Sequence, residues 1–195
     1  MTFPGSGGAH KARRELAAAC VALGLAVICF LAPSPVRADE AIDCSATPFV
    51  FSGEGYFVDC LRIETRAAKD GASGQSQSDL ISISSSDRTL FLTVVSRRLT
   101  AVHLYMRRQD LRKNTRDFFS SIELNEWNGI GNKAGYDMAE FASEVSGQPS
   151  HCLALQRYLN PAYDGYKRHV IGIGCTAGDL APLYAALEKL RAPGD

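Results

Sequence analysis

The chain has 195 residues, 46% of them hydrophobic, with 21 basic residues balanced by 21 acidic ones. That length and apolar content suit one ordinary domain with a sizeable core, and exclude a disordered or repeat-built polymer. The absence of a basic excess gives no support to a global nucleic-acid-binding role.

The first 15 residues carry His10, Lys11, Arg13 and Arg14 against the single acid Glu15, and residues 16–32 form an apolar run ending before Pro33. A charged stretch followed by an apolar one is the order of a secretory signal peptide. Val36-Arg37-Ala38 places small or β-branched residues where a signal peptidase reads, so residues 1–38 are expected to be removed by cleavage after Ala38. The competing reading is an uncleaved anchor, since 17 apolar residues reach the lower limit of a membrane span. A lipoprotein signal is excluded, because Cys20 comes too early and Cys29 follows Ile28. Arg13-Arg14 serves as ordinary basic charge, Glu15-Leu16 being a loose fit to a twin-arginine signal.

Losing 38 residues leaves 157, read as a single globular domain over 39–195 that is periplasmic or secreted. Four basic residues and one acid leave with the signal, so 17 basic and 20 acidic residues remain, a net charge of −3. Of six cysteines, Cys20 and Cys29 lie in the signal; Cys44, Cys60, Cys152 and Cys175 remain. An even set in an oxidising compartment implies two disulfides. Cys152 and Cys175 flank two apolar segments that would fold as a hairpin near Tyr163 and Asp164, facing the cysteines directly. Cys44 and Cys60 flank Gly53-Glu54-Gly55 in a similar way, so the expected bridges are 44–60 and 152–175. No Cys-x-x-Cys occurs and His103, His151 and His169 show no ligand spacing with the cysteines, so no metal is implied.

In chain order, Pro48-Phe49-Val50-Phe51 and Tyr56-Phe57-Val58 read as two aromatic-rich strands around a glycine turn, followed by residues 61–65. Residues 67–78 are rich in Ser, Gln and Gly and read as a mobile loop. Strands follow at 80–84 and 89–95, and residues 102–106 either continue the sheet or begin a helix. Residues 109–122 read as a helix with Leu111, Thr115, Phe118 and Ile122 on one face. Asn128-Gly129-Ile130-Gly131-Asn132 reads as a turn, and strands follow at 134–142, 152–159 and 168–176. Asp179 is placed to cap a last helix over 180–191, with Leu183, Leu187 and Leu190 buried. This order makes an α+β domain with a largely antiparallel sheet, an internal helix and a C-terminal amphipathic helix.

The run from Gly131-Asn132-Lys133-Ala134-Gly135 through a strand, a hairpin and a closing helix to Arg191 resembles the C-terminal half of Mog1/PsbP-like domains. The resemblance covers about the last 80 residues and implies a central antiparallel sheet packed between helices. Such domains host accessory and binding roles rather than one chemistry, so the resemblance transfers little function. The two cysteine pairs are not part of that family pattern.

The candidate anion-binding residues are Arg97, Arg98, Arg107, Arg108, Arg112, Lys113 and Arg116, seven basic residues in 20 positions opposed only by Asp110. Guanidinium forks suit phosphate or carboxylate, whereas the plainer reading is a solvated helix face. Tyr163 and Tyr166, beside Asp164-Gly165, are candidates for a protein contact, against folding back onto the sheet. Gly172-Ile173-Gly174-Cys175-Thr176-Ala177-Gly178 departs from the dinucleotide fingerprint in spacing and in its acidic residue. It reads as strand-end glycines and a helix cap, with no cofactor. No Gly-x-Ser-x-Gly or Ser-x-x-Lys motif occurs, and His151 beside Cys152 on a strand would point to the opposite face. The expectation is therefore a non-enzymatic binding or accessory module of the cell envelope, with an unknown envelope protein or anionic ligand as partner. The alternatives are a small periplasmic hydrolase, or a membrane-associated factor binding anionic groups through residues 97–116.

Overall fold

A computed structural model describes residues 37–65, 76–100 and 104–194, all within the unit Pro35–Asp195. Residues 1–36 of the signal segment and 67–75 of the expected loop lie outside the described residues. Among the described residues ten strands form: β1 (Arg37–Ala41), β2 (Val50–Phe51), β3 (Tyr56–Thr65), β4 (Ser76–Ser85), β5 (Leu90–Leu99), β6 (Asn125–Lys133), β7 (Tyr136–Val145), β8 (Gln148–Ala162), β9 (Gly165–Thr176) and β10 (Leu190–Arg191). Helix α1 spans Leu111–Phe118 and helix α2 spans Ala181–Lys189.

Eight strands make one antiparallel sheet in the order β1-β3-β4-β5-β9-β8-β7-β6, while β2 and β10 pair separately. The topology is two meanders that meet where β5 pairs with β9. Tight turns set each meander. Ala134-Gly135 and Ser146-Gly147 both hold two consecutive positive φ values, which suits the twist of a two-residue hairpin. The alternation of apolar residues decides the layers. Leu90, Leu92 and Val94 of β5 face α2 in a core with Ile81, Ile83, Leu153, Leu155 and Leu183. The opposite face carries Ala139, Phe141, Cys152, Ala154, Ile173 and Cys175, covered by Leu111 of α1 and by Phe119, Ile122, Leu124 and Trp127. Central β8 and β9 are thus covered on both sides, and every residue from His169 to Thr176 is buried.

Cys152 and Cys175 are directly paired across β8 and β9, their Cα atoms 4.1 Å apart, and are bridged; the hairpin turns at Tyr163 and Asp164. Cys44 and Cys60 are bridged as well, but not across the expected hairpin. Cys44 sits in a 3-10 turn (Cys44–Ala46) packed on β3, and β2 pairs with β10 rather than with β3. Phe49, only 3% exposed, is drawn into the α2-side core by this pairing.

Further differences have local causes. The glycine-rich run at 128–132 is strand rather than turn: it lies in edge strand β6, where two register shifts against β7 absorb extra residues as bulges. Gly172 and Gly174 lie within the sheet, not at a strand end. A Cβ on Gly174 would stand 2.5 Å from Leu183 Cδ1, so its bareness lets α2 approach, and Leu183 is fully buried. That burial is worth about 2 kcal/mol. Helix α1 stops at Phe118, four residues short of expectation, because the chain must leave the helix to lay Phe119, Ile122, Leu124 and Trp127 along the sheet towards β6. Ser76–Ser78 belong to β4, and β5 runs on through Arg97 and Arg98. The N-cap of α2 is Leu180, which offers no side-chain bond, and the expected cap Asp179 stands one residue further out, where its Oδ1 accepts the Ala181 N–H at 2.9 Å.

Candidate functional site

The α1 side of the sheet changes character along β8 and β9. From Cys152 the inward positions run Ala154, Gln156, Tyr158, and from Cys175 they run Ile173, Ile171, His169. The apolar, bridged end therefore gives way to a polar one, and α1 lies over the transition. Asp110 starts α1 by accepting the Lys113 N–H at 3.0 Å. This orients Asn114, 5% exposed, onto the sheet. Its Nδ2 donates to Gln156 Oε1 at 2.7 Å and to Tyr158 Oη at 2.8 Å.

Gln156, 1% exposed, passes the network on. Its Nε2 donates to the Gln109 carbonyl at 3.1 Å and to Asp137 Oδ2 at 3.4 Å. Arg108 Nη2 contacts both Asp137 oxygens at 2.9 and 2.8 Å, and Asn132 Nδ2 donates to Oδ1 at 3.4 Å. Burial pushes the Asp137 carboxyl up, but the hydrogen bonds from Arg108, Asn132 and Gln156 and the Arg108 charge outweigh it and hold it below its ordinary value. The same bond raises the Arg108 guanidinium. Tyr158 Oη also accepts the Gln109 N–H at 3.1 Å, so its two lone pairs are engaged and its own proton is left to donate elsewhere.

Beside this network lies a groove of about 670 Å³ with Arg97, Arg107, Asn114, Phe118, Tyr158 and His169 in its walls. His169 is the most constrained of them. Directly opposite Tyr158 on one side and Arg97 on the other, its ring stacks on Tyr158 at 4.3 Å and 12° and meets Phe118 edge-on at 5.7 Å. It is 3% exposed, and its buried Nε2 has no hydrogen-bond partner among the described residues. Burial, with the Arg97 charge second, pushes the imidazole down to about 4, so it is neutral at physiological pH. Among the described residues, no Ser, Thr or Cys lines the groove.

The seven basic residues expected to form an anion site are divided by this architecture. Arg97 and Arg107 reach the groove and have no hydrogen-bond or ion-pair partner among the described residues. Arg98 falls on the opposite face, where it hydrogen-bonds Gln77 Oε1 at 3.3 Å and neighbours Arg168. Arg108 is bound to Asp137, Lys113 to Asp117 one helical turn away, and Arg112 to the Leu124 carbonyl and over the Trp127 ring. Arg116 is exposed at the end of α1. Tyr163 is fully exposed at the hairpin tip, whereas Tyr166 folds back on Tyr158 at 5.1 Å, so the two do not form one contact surface. His151 is exposed and Cys152 buried, on opposite faces of β8.

A second cavity of about 200 Å³ lies on the other face, between α2 and the sheet, walled by Val94, Met138, Leu155 and Leu187. Near it, burial and a 2.8 Å bond to Glu140 push the Tyr184 hydroxyl up to about 12. It gathers no comparable set of unpartnered polar groups.

His169, Asn114, Gln156 and Asp137 were not among the sequence candidates. The available signal was polar residues at core positions of apolar strands, Gln156 after Cys152-Leu153-Ala154-Leu155 and His169 before Val170-Ile171. Buried polar groups of that kind need partners, and α1 supplies them only after the chain has folded. Comparison of the chain with known protein families, with characterised proteins and with solved structures finds no match.

Proposed function

We propose that the chain is an exported, non-enzymatic binding or accessory module of the cell envelope, and that the groove beside α1 is where it binds. The observation that carries this reading is the groove itself. Asn114 and Tyr158 in its wall are fixed by a hydrogen-bonded network that runs on through Gln156 to Asp137, and the half-buried Arg97 and the exposed Arg107 line the same groove. A wall held in place before the ligand arrives lowers the ordering cost of binding. A neutral, stacked imidazole with no Ser, Thr or Cys beside it among the described residues of the groove argues for recognition over hydrolysis.

Export is part of the proposal. The two disulfides are compatible with an oxidising, extracytoplasmic compartment. No helix among the described residues is long and apolar enough to cross a membrane. Strand β1 starts at Arg37, so a cut after Ala38 would shorten it to Asp39–Ala41, which pair with Leu61, Arg62 and Ile63. For residues 131–191 we carry the Mog1/PsbP-like relationship as part of the same reading.

The test is expression with the native N-terminus in an exporting host, followed by mass determination and thiol titration. The expected product begins at Asp39, has no free thiol, and is recovered from the envelope or medium. An intact N-terminus with all six cysteines reduced in the cytoplasm would overturn the proposal.

A further inference from the structure

Resting on the binding-module reading, we propose that the groove is a site for a phosphate monoester, whose dianion is held by Arg97 and Arg107 and whose oxygens accept hydrogen bonds from Tyr158 Oη and His169. Three features of the site lead to this class of ligand.

The first is charge. Arg97 and Arg107 line the groove with no acidic partner among the described residues, and the carboxylate in its wall, Asp117, is matched by Lys113. Asp110 is occupied as the cap of α1. The groove therefore carries two uncompensated positive charges, and a phosphate monoester near neutral pH supplies about −1.5 to −2. A single carboxylate would leave one guanidinium unmatched.

The second is the balance of donors. Tyr158 Oη accepts from both Gln109 N–H and Asn114 Nδ2, which leaves its hydroxyl proton without an acceptor in the network. His169 is 97% removed from solvent with an unpartnered Nε2, a group that costs about 1–3 kcal/mol when left unsatisfied. A neutral imidazole carrying its proton on Nε2 would satisfy that atom by donating to an oxyanion. The phosphate, with its several acceptor oxygens, is the complement to two guanidinium forks and two lone donors.

The third is shape. The groove is several times larger than an inorganic phosphate, and Phe118, Tyr105 and Met106 give it an apolar flank beside the charged end. An ester with an apolar or aromatic body fills both parts, whereas the free ion fills only one. A soluble monoester and the headgroup of a phosphatidic acid share this chemistry, and the experiment separates them.

The full chain is titrated with para-nitrophenyl phosphate, with inorganic phosphate, and with vesicles containing phosphatidic acid. Binding is followed by calorimetry and by the imidazole nitrogen signals of His169. The expected result is binding of the aryl phosphate at least about tenfold tighter than inorganic phosphate, with a shift of the His169 Nε2 signal at saturation. Affinity should fall about tenfold or more in Arg97→Gln and in Arg107→Gln, and remain unchanged in Arg98→Gln, whose side chain lies on the opposite face. Preserved dispersion of the amide spectrum shows that each variant is folded. Vesicle binding that is lost in the Arg97→Gln and Arg107→Gln variants identifies the lipid as the source; aryl phosphate binding without vesicle binding identifies a soluble ester. Undiminished aryl phosphate affinity in the Arg97→Gln/Arg107→Gln double variant, or no binding by the parent, overturns the phosphate assignment. Steady release of nitrophenolate by the parent, lost in His169→Phe, would instead overturn the non-enzymatic reading.

Discussion

Lowering the pH is expected to destabilise the fold through His169 alone by an amount large enough to isolate. In the unfolded chain the imidazole takes up its proton near its ordinary 6.5, whereas in the folded chain burial and Arg97 hold it off until about 4. Between those values the unfolded state binds more protons, so stability rises with pH there. The contribution is fully present above pH 6.5 and is lost progressively as the pH falls towards 4. The side chain is 3% exposed, so solvent screening takes little from this, and the full loss is about 3 kcal/mol. Trp127, the single tryptophan, stacks on Phe141 with centroids 5.5 Å apart and reports unfolding by fluorescence. Urea unfolding from about pH 7.5 down to about pH 4.5 should show the parent losing about 2.5 kcal/mol more than His169→Phe over that range. The comparison is between slopes, so any packing cost of the larger ring cancels, as does every titration that the two chains share. Parallel pH profiles for parent and variant would refute the reasoning and mean that His169 is hydrated or hydrogen-bonded in the folded state.

Replacing Cys152 and Cys175 together by Ala should lower stability by about 3 kcal/mol, the loop-closure value for a separation of 23 residues, read by the same urea titration. Gly174→Ala places a methyl group 2.5 Å from Leu183 Cδ1 and should cost about 1–3 kcal/mol. Adding Leu183→Ala should recover part of that cost, a coupling that a double-mutant cycle measures. Asn114→Ala removes the donor to Gln156 Oε1, itself buried, and should cost about 1–3 kcal/mol in thermal or urea unfolding.

What the sequence revealed depended on how local the determining contacts are. The Cys152–Cys175 bridge was legible because a turn near Tyr163 fixes its own hairpin, and the hairpin alone places the two cysteines opposite each other. The Cys44–Cys60 pair was also legible as a pair, yet its setting was not. The partner of β2 is β10, some 140 residues away, and nothing between Phe51 and Tyr56 advertises that. Edge strand β6 was hidden because its glycines, which normally punctuate turns, here serve bulges whose existence depends on β7. The basic segment was visible as a count of charges, but a count carries no face. Arg97 and Arg98 are adjacent in sequence and lie on opposite sides of the sheet, and only the extension of β5 through them reveals it. His169 and Gln156 stood in plain sight as polar residues in apolar strands. Their meaning came from Asn114 and Arg97, which reach them through non-local packing.

The bridge and the groove are linked by register. Tyr158 and His169 face each other because Cys152 faces Cys175, six residues further along the ladder, about 20 Å away at strand spacing. A slip of one residue between β8 and β9 would turn every side chain of the slipped strand to the other face, sending Gln156 and Tyr158 to α2 and Leu155 and Arg157 to α1. Such a slip would expose the polar network to an apolar core and leave Asn114 over a leucine. The disulfide at one end of the hairpin and the Tyr163-Asp164 turn at the other exclude it from both sides. On this argument the bridge does more than add stability: it holds two strands in the one alignment that sets His169 between Tyr158 and Arg97 at the groove. Reduction should therefore loosen the His169 environment before the fold is lost, visible as broadening of its imidazole signals while the dispersion of the amide spectrum is preserved.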